Sequence, residues 1–230
     1  MRVIPPYPDY KFFRNGTRHF CSSTLCDLSI LVYSEFSFIC TRKMPFDMLD
    51  WIDYGETQVL VVKDRSEDEV AIVFRGTSTF CVKDWNTNLN VGLDVSGVHS
   101  GFHKAFLLAR PRLEKFWAGR RLFLTGHSLG GALATVAAWY FRGSDLVTFG
   151  SPRVGDSAFA KAVHDGCGSY CERYVHGHDV VPTLPMKSLG YEHVGNEIAL
   201  RQCPRPWSNI LVPRPVFDHV PTLYAERIWA

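Results

Sequence analysis

The sequence predicts an α/β fold in which helices cover both faces of a mainly parallel sheet. Short apolar runs rich in β-forming residues alternate with amphipathic segments of helical period, 46% of the residues are hydrophobic, and only 21% are charged. A chain of 230 residues with this composition is long enough to bury a substantial core. We therefore expect a single domain over residues 1–230.

The distribution of charged and apolar residues argues against a nucleic-acid-binding or membrane-spanning protein. Lysine and arginine total 25 against 23 aspartate and glutamate, and the charges are scattered, so no basic patch for a nucleic acid is expected. No apolar stretch approaches the roughly 18 residues of a membrane span. The first residues, MRVIPPYPDYKFF, do not resemble a signal peptide. The expected location is therefore extracellular if a signal was removed, and otherwise cytoplasmic.

Cysteine usage gives a weak indication about redox state. Seven cysteines cannot all pair within the chain, and free or partly buried thiols are the simplest expectation. Cys167 and Cys171 are close in sequence, but no second cysteine pair or nearby set of histidines completes a zinc site. The cysteine pattern weakly favours a reducing compartment inside the cell, and no metal site is expected.

The first predicted elements are a helix and a hairpin. Apolar residues recur near helical spacing over 22–34, and Ser22 or Ser23 could cap the start of this helix. The β-rich runs 58–62 and 70–74 are separated by a charged turn, which is typical of a hairpin with a longer loop.

Strands and helices alternate through the rest of the chain. In order, the pattern predicts a helix over 101–117 with a break at Pro111, a strand at 122–124, a helix over 129–141, a strand at 146–149, a strand at 174–176 and a last helix near 219–229.

The central motif is Gly126-His127-Ser128-Leu129-Gly130, a G-x-S-x-G pattern. It follows an apolar strand and opens a helix rich in small residues, which is the setting of a nucleophile elbow. On such a turn the serine hydroxyl projects above the sheet at a helix N-terminus, where backbone N–H groups stabilise developing negative charge. We interpret Ser128 as a nucleophile and expect His127 to have a packing role.

A serine nucleophile needs an acid and a base that follow it in the chain. Asp179 is the best-placed acid because it lies just past a strand-like stretch, at the edge of the sheet where catalytic groups leave. Asp145 precedes its strand and should lie at the opposite edge. The other carboxylates downstream of the serine are Asp156, expected in a loop, Asp165, expected in a helix, Glu172, Glu192, Glu197, Asp218 and Glu226.

Five histidines follow the serine and could supply the base: His164, His176, His178, His193 and His219. His176 and His178 are too close to Asp179 in sequence to be obvious partners across a site. His219 lies in a loop before the terminal helix and is the favoured base. His193 is the alternative, although we expect it to be a structural strand residue.

Together these residues carry a family resemblance. The segments AIVFRGT at 71–77, DW at 84–85, NL at 88–89, VHSGF at 98–102, GHSLGGALA at 126–134, VTFGSPRVG at 147–155, HDVVP at 178–182 and YEHVG at 191–195 resemble the class 3 lipases. The ordered series covers about residues 25–225 and is far more specific than any single motif. The resemblance implies an α/β-hydrolase fold.

The resemblance also implies roles for individual residues. Ser128 matches the family's nucleophile, Asp179 its acid and His219 its base. The oxyanion hole is implied at Thr77, which follows the Arg-Gly pair, and at Leu129, which follows the serine. No cofactor is implied, because the serine supplies the nucleophile.

The segment 78–95 is the expected lid, and it is more polar than the lids of family members that act at oil interfaces. It carries Phe80, Val82, Trp85 and Leu89, but also the polar residues Lys83, Asp84, Asn86, Thr87, Asn88 and Asn90. At most, peripheral contact with a lipid interface and modest interfacial activation are expected. In addition, position 178 carries a histidine where the family more often has asparagine or a small polar residue.

The expected function is hydrolysis of carboxylic esters, either acylglycerols or short- to medium-chain esters, through an acyl-enzyme. Phospholipase A1 or feruloyl-esterase activity is an alternative within the hydrolases. A non-catalytic binding module is less favoured, because all three triad residues are present. The expected partner is a small-molecule or lipid ester, and the oligomeric state stays open.

Overall fold

The computed structural model describes residues 13, 19–34, 45–55, 57–76, 92–204 and 212–230. In these ranges seven strands form one sheet, and they lie side by side in chain order. The strands are β1 Phe46–Tyr54, β2 Thr57–Asp64, β3 Glu69–Phe74, β4 Arg121–His127, β5 Asp145–Phe149, β6 Cys171–His176 and β7 Asn196–Leu200. Strands β1 to β3 pair antiparallel, and β3 to β7 pair parallel. The predicted fold class and the predicted hairpin are confirmed.

Helices pack on both faces of the sheet. They are α1 Ser22–Leu31, α2 Ser100–Trp117, α3 Leu129–Tyr140, α4 Ser157–Gly166, α5 Arg214–Phe217 and α6 Pro221–Ile228. Helices α1 and α6 contact one face, whereas α2 and α3 contact the other and α4 packs on α3. None of the helices in the described ranges is long and apolar enough to span a bilayer.

The core follows from alternation along the strands. In β3, Val70, Ile72 and Phe74 pack on the α2–α3 side, and Ala71 and Val73 pack on the α1–α6 side. All five are fully buried. The central strands are therefore apolar on both faces, which explains why their segments read as continuous hydrophobic runs.

The predicted break at Pro111 is wrong, because α2 runs unbroken through this residue. Pro111 lies on the exposed side of the helix. Its missing N–H leaves the carbonyl group one turn back without a helical donor, at a position where water can satisfy it. On the opposite side the buried residues Phe106, Ala109 and Leu113 hold the helix against the core. Packing therefore outweighs the local cost of the proline.

Two further expectations need correction. The N-cap of α1 is Cys21, with no side-chain capping bond, and Ser22 Oγ donates instead to Glu172 Oε2 at 3.2 Å. Strands β1 and β7 were not predicted. Both lie at the edges of the sheet, and most of their side chains are at least partly exposed, so they lack a clear apolar signal.

Candidate active site

Ser128 occupies a strained turn between β4 and α3. Its backbone has φ 60° and ψ −128°, a combination that non-glycine residues rarely adopt. The turn is held because the Ser128 N–H donates to the Phe149 carbonyl at 3.0 Å and its own carbonyl accepts from the Gly131 N–H at 2.9 Å. The fold therefore stabilises a conformation that presents this side chain at the C-terminal edge of the parallel strands.

Close packing explains the glycine that ends the motif. A Cβ atom on Gly130 would overlap the carbonyl oxygen of Phe74, at the end of β3. Only glycine lets the first turn of α3 approach the neighbouring strand this closely. The start of the helix thereby lies directly over the edge of the sheet.

Asp179 and His219 come together at this same edge. Asp179 follows β6, and His219 lies in the short turn between α5 and α6. The Nδ1–H of His219 donates to Asp179 Oδ2 at 2.7 Å, and the Val181 N–H donates to Asp179 Oδ1 at 2.8 Å. Asp179, His219 and Ser128 are 3%, 1% and 4% exposed. The carboxylate thus fixes the orientation of a buried imidazole.

Tyr224 is a further contact of the acid that sequence reasoning missed. Its hydroxyl, on α6, donates to Asp179 Oδ2, the same oxygen that accepts from His219. Burial, together with the adjacent Asp179 carboxylate, raises the pKa of Tyr224 well above its ordinary value. The tyrosine therefore stays a hydrogen-bond donor at every pH relevant to activity. A tyrosine a few residues after the candidate base is the only trace of this contact in the sequence.

Gly150 provides the space in which these groups meet. It follows β5 with φ 56°, and a Cβ there would lie 2.9 Å from both Asp179 Oδ2 and Tyr224 Oη, and 3.2 Å from His219 Cε1. Any side chain at this position would push the acid and the base apart. Gly150 stands in the segment that carried the family resemblance, but its spatial role is visible only in the structure.

Asp218 joins the two loops that carry Asp179 and His219. Its carboxylate is fully buried; Oδ2 accepts from the His178 N–H at 2.9 Å and from Gln202 Nε2 at 2.8 Å, and Oδ1 lies 2.7 Å from Arg214 Nε. Burial alone would raise the pKa of Asp218, but these donors hold it below its ordinary value. The charged Asp218 carboxylate therefore links the two loops, because it binds His178, which precedes the candidate acid, and itself precedes the candidate base His219.

His176 reinforces this junction. It is completely buried at the end of β6, where Nδ1 lies 2.9 Å from the Asp218 carbonyl and Nε2 lies 3.0 Å from the Cys203 nitrogen. The Cys203 N–H can only donate, so Nε2 is the acceptor and Nδ1 carries the hydrogen. Its position agrees with the expectation that it is not the base.

Arg153 and His193 hold the loop that follows Asp179. One Arg153 nitrogen, Nη1, donates to the carbonyls of Thr183 and Pro185 at 2.6 and 2.8 Å. His193 Nε2 lies 2.8 Å from the Pro182 carbonyl, which makes it the donor. His193 is therefore structural, as expected, but it lies in the loop before β7 and not in a strand.

His127 packs against the candidate base. The two rings are 4.4 Å apart between centroids, and His127 Nδ1 lies 3.1 Å from the Tyr33 hydroxyl. Complete burial, with the nearby His219 as a second cause, holds the pKa of His127 well below its ordinary value. His127 is therefore uncharged and packs against one side of the site, in line with the packing role expected for it.

The candidate oxyanion donors are only partly described. Leu129 is the first residue of α3, so its N–H has no carbonyl partner within the helix and lies at the positive end of the helix dipole. Thr77 and most of the expected lid, residues 78–91, lie outside the described residues. Within those residues, no group of three His, Cys, Asp or Glu side chains could hold a metal.

Comparison with known proteins identifies the family. The model of the family described as Lipase (class 3) matches residues 71–189, just over half of the chain. The chain belongs to the class 3 lipase family. This membership agrees with the elbow around Ser128 and with the order of the three candidate triad residues.

Two relatives illustrate the extent of the sequence similarity. A secreted mono- and diacylglycerol lipase of Fusarium solani is 37% identical over 154 residues, covering 60% of this chain and 45% of its own. A lipase of Rhizomucor miehei is 36% identical over 164 residues, covering 62% and 44%. The chain thus spans about half the length of the sequence relatives it matches.

Solved structures of lipases share the fold. A triacylglyceride lipase of Rhizomucor miehei superposes with a TM-score of 0.67 and 26% identity, covering 86% of this chain and 91% of its own. A triacylglycerol lipase whose catalytic centre is a serine protease triad superposes with a TM-score of 0.58 and 27% identity, covering 76% and 79%.

Proposed function

We propose that this protein is a serine hydrolase of carboxylic esters, acting on acylglycerol-type or short- to medium-chain substrates. The observation that carries the proposal is the joint arrangement of Ser128, Asp179 and His219. A serine held at positive φ on a strand-to-helix turn lies at the sheet edge where a buried carboxylate orients a histidine. That arrangement matches the roles required for acyl transfer.

In the first half of the reaction, Ser128 attacks the ester carbonyl carbon. Neutral His219 removes the serine proton through Nε2, because Nδ1 is engaged by Asp179. Asp179 stabilises the imidazolium that forms and stays ionised itself. The imidazolium then protonates the departing alcohol, leaving the acyl group on the Ser128 oxygen. In the second half, His219 activates a water molecule that attacks the acyl-enzyme and releases the acid.

The oxyanion of each tetrahedral intermediate accepts hydrogen bonds from Leu129 N–H and from Thr77 in this proposal. The Leu129 contribution is supported by its position at the start of α3. The Thr77 contribution is supported by the family resemblance alone. Replacing Thr77 with valine removes only the hydroxyl, and we expect kcat to fall about 10²-fold.

The substrate class is supported by the names of the relatives. The Fusarium solani protein is a mono- and diacylglycerol lipase, and the Rhizomucor miehei protein is a triacylglyceride lipase. Acylglycerols are therefore the first substrates to test. Phospholipids and feruloyl esters are the alternatives that the same chemistry could serve.

The decisive experiment compares wild-type protein with Ser128→Ala on p-nitrophenyl esters from acetyl to palmitoyl. We expect kcat in the variant to fall by about 10⁴-fold or more. Ser157→Ala is the matched control, because Ser157 is an exposed serine at the start of α4, and it should retain full activity. A fluorophosphonate probe followed by peptide mapping should label Ser128.

The results separate the competing functions. A wild-type rate profile that peaks at short or medium chains supports the proposed substrate range, and a peak at long chains makes the protein a true lipase. Activity confined to phospholipids or feruloyl esters moves it to those classes. Turnover that is unchanged in Ser128→Ala, or absent from the wild type on all of these esters, overturns the proposal.

Location and interface contact form part of the same proposal. The relatives from Fusarium solani and Penicillium cyclopium are named as secreted, which supports the extracellular alternative over the cytoplasmic one. Contact with a lipid interface is at most peripheral. The polar composition of 78–95 favours modest interfacial activation, and a many-fold rate increase above the solubility limit of the ester would contradict this.

A further inference from the structure

Two cysteines face each other at the edge of the sheet opposite the candidate active site. Cys167 follows the last residue of α4, and Cys171 is the first residue of β6. Their Sγ atoms are 3.1 Å apart. This separation is longer than a disulfide bond, and closing it requires the two sulfurs to move about 1 Å closer together.

The fold holds this pair in place at several independent points. Between the cysteines, the Gly168 N–H donates to the Ser144 carbonyl at 2.7 Å, and the Tyr170 N–H donates to Asp145 Oδ1 at 2.9 Å. The Tyr170 carbonyl accepts from the N–H of Leu146, in β5, at 2.9 Å. The reversal between α4 and β6 is therefore anchored to the start of β5, so the approach of the two sulfurs follows from the tertiary structure.

The pair is also chemically distinct from the other described cysteines. Hydrogen bonding from Cys167, against the opposing effect of burial and with help from His164, lowers the pKa of Cys171 to about 7. The same sharing raises the pKa of Cys167. The lowered pKa of Cys171 increases the fraction of thiolate near neutral pH, and thiolates are the species that exchange with disulfides. By contrast, burial raises the pKa of the Cys26 and Cys203 thiols. Cys21 is exposed, and against the effect of burial its hydrogen bonds with Ser23 and Thr24 lower its pKa.

We propose that Cys167 and Cys171 form a dithiol–disulfide site that a small disulfide such as glutathione disulfide oxidises. One sulfur of the pair attacks the reagent and forms a mixed disulfide, releasing one glutathione thiolate. The other sulfur then attacks the mixed disulfide, forms the Cys167–Cys171 bond and releases the second glutathione. The protein loses two thiol protons and two electrons, and the reagent gains both as two glutathione thiols.

The bond would join the end of α4 to the start of β6. The disulfide would lie at the beginning of β6, the strand whose other end leads to Asp179. Because only three residues separate the cysteines, the closed loop is short, and the expected rise in melting temperature is a few degrees.

The test equilibrates the full chain with glutathione and glutathione disulfide over a range of ratios, then alkylates it and maps its peptides without reduction. We expect Cys167 and Cys171 to be recovered in one cross-linked peptide at oxidant levels that leave most of Cys21 alkylated. Dithiothreitol should restore alkylation of both. The variants Cys167→Ser and Cys171→Ser should each retain one glutathione on the remaining cysteine, because the second displacement is lost.

Cys21→Ser is the matched control and should leave oxidation of the pair unchanged. Each serine variant tests the proposal separately, so failure of one to fold leaves the other decisive. The proposal is overturned if both cysteines stay fully alkylated at high glutathione disulfide, or if the wild type stops at a mixed disulfide. A bond from either one to any other cysteine of the chain would also overturn it.

Discussion

Asp145 and Asp179 are two buried aspartates at opposite edges of the same sheet, and they differ in their partners. Asp145 begins β5, is 2% exposed and pairs with Arg121 Nε at 2.9 Å while it accepts the Tyr170 N–H. Asp179 follows β6 and accepts from His219 Nδ1, Tyr224 Oη and the Val181 N–H. Burial alone therefore does not distinguish them.

The difference lies in when the partner is charged. Arg121 is a permanent cation, so the Asp145 contact is the same at every stage of a reaction. His219 becomes a cation only when it takes a proton, so the proposed role of Asp179 is strongest at that moment. A carboxylate whose partner changes charge can stabilise a transition state selectively, and one with a fixed partner can only stabilise the fold.

Exchanging each aspartate for asparagine should give the largest contrast. In Asp179→Asn, the amide favours the wrong histidine tautomer, and we expect kcat to fall about 10⁴-fold. In Asp145→Asn, ester hydrolysis should be unchanged, while the free energy of unfolding falls by about 1–3 kcal/mol, since a charged hydrogen bond is lost. The measurements are steady-state kinetics and urea unfolding. Equal loss of activity in both variants would refute the contrast.

Asp218→Asn should have an intermediate effect, because it weakens the tie between the loops that carry the acid and the base. We expect kcat to fall about 10- to 100-fold with KM nearly unchanged, since small displacements of catalytic groups are costly. Asp165→Asn is the control, because Asp165 pairs with Lys161 on the exposed surface of α4. A change in KM alone would place Asp218 outside the positioning of the triad.

Tyr224→Phe should have a smaller effect, because it removes one of the donors to Asp179 and preserves the ring that packs in the core. Loss of a buried hydrogen bond of about 1 kcal/mol corresponds to roughly a fivefold fall in kcat. The kinetic comparison should use the same ester series as Ser128→Ala. A fall as large as that in Asp179→Asn would mean that the tyrosine takes part in the chemistry itself.

The smallest predicted effect is a loss of folding stability as the pH falls below neutrality. Burial, with Arg173 and Arg153 nearby, lowers the pKa of His193 to about 3. Below the ordinary histidine pKa of about 6.5, the unfolded chain binds a proton that the folded chain does not, so stability falls with decreasing pH by up to about 1.4 kcal/mol per unit. His193→Gln should reduce this slope in urea unfolding. The same slope in the wild type and in His193→Gln would contradict the assignment.

Much of the central architecture could be predicted from the sequence. The buried strands and the turn around Ser128 have strong local signals, because continuous apolar runs and the G-x-S-x-G spacing are visible within a few residues of sequence. The position of Asp145 at the edge opposite Asp179 was also predicted from its place before a strand, and the structure confirms it.

The remaining features depend on contacts between distant segments. The edge strand β1 has few buried side chains, and the continuation of α2 through Pro111 depends on packing that local propensity does not contain. The contacts of Asp218 with His178 and Gln202 join loops 40 and 16 residues apart in the chain. The catalytic roles of Ser128, Asp179 and His219 stay predictions until the variants are measured.

The sequential order of the strands has a consequence for the timing of synthesis. Each strand lies beside the one that precedes it in the chain, so the sheet can grow by one strand at a time as the polypeptide emerges from the ribosome. Ser128 follows the fourth strand, whereas His219 follows the seventh. A partly synthesised chain therefore carries the nucleophile without its base, and the proposed hydrolytic chemistry begins only after the whole sheet has formed.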